Sequence, residues 1–418
     1  YSPCMQPVLC VVCKRFTKAN MSYTPTITQN STLNVTPTTP PFSGLVVVEA
    51  ASVLAGPLVG QFFAELGARV IKLENATTDG DGTRGWRSSG ESAQSDISAY
   101  FASANFGKES VSVNMHSEAD LQLCHGILRH ADVFIHNWKP GDEQRFGLDY
   151  QSCARANPRL VYASVNGYGN TNTRVGYDAV VQAECGLMSI NGDSNGPATK
   201  LPVALIDVLA AHQLKQAILV ALFRREHTNT GTRVDVSLMD TALSSLVNQA
   251  TNYLHTGAVP QRAGSEHPNI VPYGTVFTTA DNVQILLAVG TDAQYRDLCA
   301  VLNIPLRVEY RRNHDRVLHR EQVNRELREA ILSMQADELL EAFDTKKIPA
   351  GRIQTIDRAL QSQNAPNVLL SSDDVYGLRS AVFQSPEISL LQTLRRPPHL
   401  DEHGDALRQE FAATDPSR

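Results

Sequence analysis

From Gly44 onward, short apolar runs alternate with stretches of helical periodicity. Leu45–Glu49 (LVVVE), Arg69–Glu74 (RVIKLE), Ser110–Asn114 (SVSVN), Asp132–His136 (DVFIH) and Leu160–Val165 (LVYASV) read as strands. Pro57–Leu66, Leu121–Leu128 and residues 142–156 read as the intervening helices, the first with Pro in its opening turn and Gly67 just past its end. Strands and helices alternating at this spacing predict an α/β chain with a Rossmann-like, doubly wound parallel sheet. Leu201–Ile206 reads as a further buried strand, and the residues from Leu209 to Glu226 as a helix with Arg224 and Arg225 in its last turn. Asp207 then lies between a strand end and a helix start, where it serves as an N-cap or faces a ligand.

The second half changes character. Ser237–His255 reads as one long helix, Pro272–Phe277 and Gln284–Val289 as strands, and residues 292–301, 321–333 and 336–345 as helices. The expected organisation is a leader at 1–43, a large domain at 44–238, a linker helix and loop at 239–271, and a smaller α+β domain at 272–370. Residues 371–418 return to the large domain as a Pro-broken polar tail. Gly- and Asn-rich loops cover Gly167–Gly176 and Asn191–Gly196. The turn after the first strand, Ser52–Pro57, lacks the GxGxxG spacing of dinucleotide sites.

Composition narrows the possible partners. The 418-residue chain has a net charge of -6, with no basic excess to suggest nucleic acid or an anionic membrane. No uninterrupted apolar run reaches the ~18 residues of a spanning helix. Cys124, Cys153, Cys185 and Cys299 are scattered, as reduced core thiols are, while Cys10 and Cys13 form a lone CxxC that is weak as a metal site, so no metal is expected. Residues 1–43 contain no Asp or Glu, are rich in hydroxyl residues and carry Lys14, Arg15 and Lys18. That composition fits a mitochondrial transit peptide, or else a disordered tail on a cytoplasmic protein.

Several stretches, in order, resemble the family III CoA-transferases, the group that includes formyl-CoA:oxalate and carnitine CoA-transferases and α-methylacyl-CoA racemases. They are Val53-Leu54-Ala55-Gly56-Pro57, Glu65-Leu66-Gly67-Ala68 with Val70-Ile71-Lys72, and Asn137-Trp138-Lys139-Pro140-Gly141. Asn157-Pro158, Gly167-Tyr168-Gly169, Gly176-Tyr177-Asp178 and Gly186-Leu187-Met188 continue the series. The resemblance implies an interlocked homodimer, acyl-CoA and a small carboxylic acid as substrates, CoA thioester as the only cofactor-like molecule, and no permanently bound group. It places the nucleophilic aspartate at Asp207, where the helix N-terminus is expected to keep the carboxylate ionised. Asp178 matches an acidic position near the reacting centre.

For CoA, the resemblance implies contacts from Val53, Leu54 and Ala55, from Asn137 and Trp138, and from Arg145 and Phe146. Trp138 is a flat face for adenine and Arg145 a phosphate partner. Two family arginines are replaced here, by Asn75 and Phe106, and Lys72 and Lys108 are expected to stand in for them. Racemases carry His where this chain has Tyr177, and a tyrosine with pKa near 10 is a poor base, so racemisation is the lesser alternative, beside a non-catalytic CoA-binding scaffold. The segment from Arg262 to Tyr273 looks closer to succinyl-CoA:glutarate and related mitochondrial dicarboxylate transferases than to oxalate enzymes. Tyr177, Arg262 and His267 are therefore expected around the acid, with Arg262 or His267 pairing a distal carboxylate.

Overall fold

The computed structural model describes residues 39–412. The leader's first 38 residues, with the Cys10–Cys13 pair, lie outside them. Six strands form one sheet: β1 (Val46–Ala50), β2 (Arg69–Asn75), β3 (Lys108–Val113), β4 (Val133–His136), β5 (Val161–Asn166) and β6 (Thr232–Ser237). Their order is β3-β2-β1-β4-β5-β6, and every neighbouring pair is parallel. Val47, Val48, Val70, Ile71, Phe134, Ile135 and Val161 are essentially inaccessible, as expected of parallel strands covered on both faces. The chain winds outward from β1 to β3, then returns to place β4 beside β1. The order reverses there, which opens a crevice at the carboxyl ends of β1 and β4.

Two cores cover the sheet. On one face lie α1 (Ala55–Glu65) and the long helix Leu205–Thr228, with Val59, Phe63, Leu214 and Ile218 buried. Phe42 packs on Phe63 with ring centroids 5.1 Å apart, so packed structure begins before Gly44. On the other face the helices Glu118–Arg129 and Tyr150–Ala156 meet the C-terminal helix Gly404–Ala412, joined through Cys124, Ile127 and Leu407. A separate antiparallel sheet, β7 (Tyr273–Thr278), β8 (Gln284–Ala288) and β9 (Ala350–Arg352), is backed by Leu298, Leu327 and Phe343. Cys124, Cys153, Cys185 and Cys299 are free and buried.

Several expected elements differ. Leu201–Ala204 is irregular, and helix begins at Leu205, because Pro202 removes a ladder donor and the six-stranded sheet has no place for another strand here. The 142–156 helix is two, Asp142–Arg145 and Tyr150–Ala156, divided at Gly147 (φ 68°) and restarted by the Asp149 cap. Ser237–His255 is also two helices, with Val247 at φ 39° where the second begins. The tail after Ser389 ends in the Gly404–Ala412 helix rather than staying irregular. The Leu205–Thr228 helix is long and apolar enough to cross a membrane by length and mean hydropathy (1.4), although no single run suggested it. Half of that window is buried in the protein, and the helix carries buried Asp207 and Lys215.

Candidate active site

The crevice has two lobes that share Ser52, Asn137 and Trp138. The first, about 300 Å³, is lined by the turn Ser52–Ala55, by Asn166 and Gly167 at the end of β5, and by Asp178 and Asp207. The second, about 350 Å³, runs past Asn75 and Thr77 to Arg145 and Phe146. The ends of four strands, β1, β2, β4 and β5, therefore build one cleft, with Asp178 and Asp207 in one lobe and the exposed Arg145 in the other.

The acidic pair comes from two helix N-termini. Asp207 lies in the first turn of the Leu205–Thr228 helix, and Ala204, the residue at its cap position, supplies no side-chain bond. The capping carboxylate comes from elsewhere in the chain. Asp178 Oδ2 accepts the Ile206 N–H at 2.7 Å and the Asp207 N–H at 3.4 Å, and its Oδ1 accepts the Gln182 amide at 2.6 Å. Asp178 thus takes the donors expected to keep Asp207 ionised. Among the described residues no hydrogen bond reaches the Asp207 carboxyl. Burial, and secondarily the Asp178 charge, push it up to about 7. Asp207 is therefore neither the cap of its helix nor an ordinary ionised acid. It is a carboxyl poised to ionise near neutrality, 9% exposed at the base of the lobe.

The other lining residues divide into those held and those free. The Asn137 side chain clamps Ser52 in both directions, donating to its carbonyl at 2.8 Å and accepting its N–H at 3.1 Å. Trp138 lies edge-on to Phe146 at 5.3 Å, backed by His136 and Phe134. Burial drives the His136 imidazole down to about 3, so it is a neutral ring in an aromatic stack. The Arg145 guanidinium lies 4.8 Å from the Phe146 ring, among the described residues pairs only with Asp142 (3.1 Å), and is largely exposed.

Lys72 and Lys108 do not replace the missing arginines. Lys72 Nζ is fully buried against Glu49 (2.9 Å), Asp81 (3.0 Å) and the Ala51 carbonyl (2.7 Å). Lys108 Nζ is buried against Glu49 (2.7 Å), Asn105 (2.8 Å) and the Pro57 carbonyl (2.9 Å). Neither ammonium has a position left for a phosphate. Phe106 packs in a core with Leu370 and Leu394, against the antiparallel pair of strands Leu369–Ser372 and Val375–Leu378, and lines neither lobe. Asn75 borders the second lobe but uses its oxygen to cap a local turn through the Thr77 N–H.

Tyr177 lines the first lobe and is 58% exposed. Arg262 and His267 do not line either lobe. Arg262 donates to the Ser189 carbonyl at 3.2 Å, and His267 packs on Tyr273 and accepts the Asn269 N–H. Among the described residues, two cations line the acidic lobe: Lys139, and Arg174, unmarked in the sequence because it sits in a Gly/Asn-rich loop. Arg174 pairs with Glu184 and stacks on Tyr168. Its loop closes where Gly167 and Gly176 meet so tightly that a Cβ on Gly167 would lie 2.6 Å from the Gly176 Cα. Tyr100 was also missed. Its phenol is raised by burial and then by the charges of Asp207, Asp178 and Asp81.

Comparisons with known proteins identify the family. Residues 42–404 match CoA-transferase family III. The chain is 37% identical over 383 residues to a succinate–glutarate CoA-transferase of Agrobacterium fabrum, covering 87% of this chain and 94% of that protein. It is 34% identical over 399 residues to an acetyl-CoA:oxalate CoA-transferase of Acetobacter aceti, covering 91% and 99%. Against the human succinyl-CoA:glutarate CoA-transferase the figures are 32% over 322 residues, 76% and 72%. A crystal structure of a CaiB/BaiF family protein from Brucella suis superposes with a TM-score of 0.77 at 34% identity, covering 89% of this chain and all of that one. With a six-stranded sheet, a crevice at its switch point and matches that span nearly the whole described body, the chain belongs to the family III CoA-transferases.

Proposed function

We propose that this enzyme moves CoA from succinyl-CoA to a small dicarboxylic acid such as glutarate, with Asp207 as nucleophile. The observation that carries the reading is the carboxyl of Asp207, buried in the cleft with no hydrogen bond to satisfy it and a pKa near neutrality. Such a group retains basicity, and so nucleophilicity, when it ionises. The ionised carboxylate attacks the thioester carbonyl. The tetrahedral adduct collapses to a mixed succinyl–aspartyl anhydride and expels CoA thiolate. The thiolate attacks the aspartyl carbonyl, releasing succinate and leaving an aspartyl-CoA thioester. The acceptor carboxylate repeats both steps in reverse, carries CoA away as its thioester and frees Asp207. Asp178 is the orienting group: it holds the Ile206 and Asp207 N–H groups and so fixes the helix turn that aims Asp207.

In this reading CoA lies along both lobes, with its phosphates toward Arg145 and adenine toward Trp138 and Phe146. The contacts of Val53, Leu54, Ala55 and Asn137 fall on the arm that leads to Asp207. The preference for a dicarboxylate draws support from the glutarate transferases among the relatives and from Arg174 in the acidic lobe. Arg174 takes the role once expected of Arg262 or His267. A homodimer would cover the apolar strip of Leu219, Val220 and Phe223 on the long helix, with Val247 and Leu254 beyond it, exposed by 37, 68, 70, 66 and 78%. Light scattering after size exclusion tests that assembly. The acid-free leader supports a mitochondrial address, tested by fusing residues 1–43 to a fluorescent protein. Mass spectrometry after incubation with succinyl-CoA tests the central claim: a hydroxylamine-sensitive adduct on Asp207 is expected, and its absence in a protein that turns over would remove Asp207 as nucleophile.

A further inference from the structure

The turn between β1 and α1 lines the same lobe as Asp207, and its backbone is not one this sequence favours. Val53 has φ 73°, a left-handed conformation that a β-branched residue strongly resists. Something must hold it. Asn137 holds its neighbour Ser52 from one side. From the other, the Val53 N–H donates to both oxygens of Asp81, at 3.2 and 3.3 Å.

Asp81 is itself fixed. It is 3% exposed, accepts the Thr83 N–H and hydroxyl at 3.1 and 2.8 Å, and pairs with Lys72 at 3.0 Å. Lys72 reaches on to Glu49 and to the Ala51 carbonyl, at the start of the same turn. A chain of buried charges therefore ends on one backbone amide, and that amide belongs to a residue lining the acidic lobe.

We propose that Asp81 is a positioning residue for CoA transfer. It holds Val53 in its left-handed conformation and thereby sets the wall that Val53 contributes to the lobe of Asp207, without touching the reacting atoms. The inference rests on the transferase activity, and not on which acid is accepted or on Asp207 being the nucleophile.

The test uses Asp81→Asn, which keeps an acceptor but loses the charge, and the double variant Asp81→Asn/Val53→Gly. Glycine adopts positive φ without strain, so it relieves the need for the clamp. Asp81→Asn is expected to lower kcat at least tenfold on any acceptor that supports turnover, with the KM for acyl-CoA within threefold. Val53→Gly in that background is expected to restore at least fivefold. A merely structural aspartate would not be rescued this way. Hydrogen–deuterium exchange of the peptide spanning residues 50–57 gives a second readout that needs no turnover: exchange is expected to rise at least tenfold in Asp81→Asn. An Asp81→Asn enzyme within twofold of the parent, a loss that Val53→Gly leaves unchanged, or undisturbed exchange in this peptide would each overturn the proposal. Failure of the proposed reaction would appear separately, as absence of the aspartyl adduct.

Discussion

Two groups of buried charge border the same cleft, and they are built on opposite plans. Glu49, Lys72, Lys108 and Asp81 are at most 3% exposed, and every charge among them meets an opposite charge. Asp178 and Asp207 are nearly as buried, but they carry the same sign and share one set of backbone donors, all taken by Asp178. Burial penalises both groups alike. In the first the penalty is offset by pairing, and the result is a rigid support. In the second it stays on Asp207, whose carboxyl rises to about 7. Pairing makes structure, and the unpaired member is left with reactivity.

Removing each group should break the comparison in opposite ways. Asp207→Ala is expected to lower CoA transfer by at least about 10⁴-fold, since no covalent route remains. Calorimetry should find CoA binding within about threefold. Asp207→Asn retaining more than a few per cent of activity would show that Asp207 is not the nucleophile.

Glu49→Ala should instead damage the fold. It strands two buried ammonium groups, and breaking buried pairs of this kind costs about 3–5 kcal/mol. Denaturant unfolding should show that loss, and a change below about 1 kcal/mol would mean the cluster is dispensable for stability.

Arg174→Ala should sharpen the reactive side. A charge-assisted pair contributes roughly 1.5–3 kcal/mol, so kcat/KM for glutarate should fall about ten- to a hundredfold relative to butyrate. An unchanged glutarate-to-butyrate ratio would leave Arg174 as a loop cation satisfied by Glu184.

The smallest effect is the pH dependence of the unpaired carboxyl. Because the folded pKa of Asp207 lies above its ordinary value of 3.8, the folded state binds the proton more tightly than the unfolded state. Ionisation therefore costs stability across the window from about pH 4 to 7, and that cost is complete above pH 7. Asp207→Asn lacks it. The variant should be more stable than the parent by about 1–3 kcal/mol at pH 8, less than the full shift converts to, because the open cleft hydrates the group. The gain should shrink toward zero near pH 4, whereas a gain that is constant with pH would place the perturbation elsewhere. Transfer by the parent should show kcat/KM falling as pH drops below about 7.

What the sequence determined by itself was local. Four of the first five strands follow from runs such as LVVVE and DVFIH, because a strand buried on both faces needs continuous apolar residues, and β3 follows from the alternation in SVSVN. The end of α1 at Gly67 follows from the glycine. β6, Thr232–Ser237, went unseen although TRVDVS alternates polar and apolar, as a strand at a sheet edge does. The Leu201–Ile206 run read as a strand because six apolar residues are ambiguous between a strand and the lead-in to a helix. Tertiary structure decided everything that depends on distance along the chain. Asp178 and Asp207 are 29 residues apart, and only the fold makes one the cap of the other's helix. Lys72 looked like a spare cation, but Asp81 and Glu49 consume it. Arg262 looked like a substrate contact, and its chain path leads away from the cleft, while Arg174 is carried in by a glycine contact no local pattern announces. Residue type fixes which chemistry is available; whether a charge is paired depends on neighbours brought together only by folding, and that pairing decides which carboxylate can react.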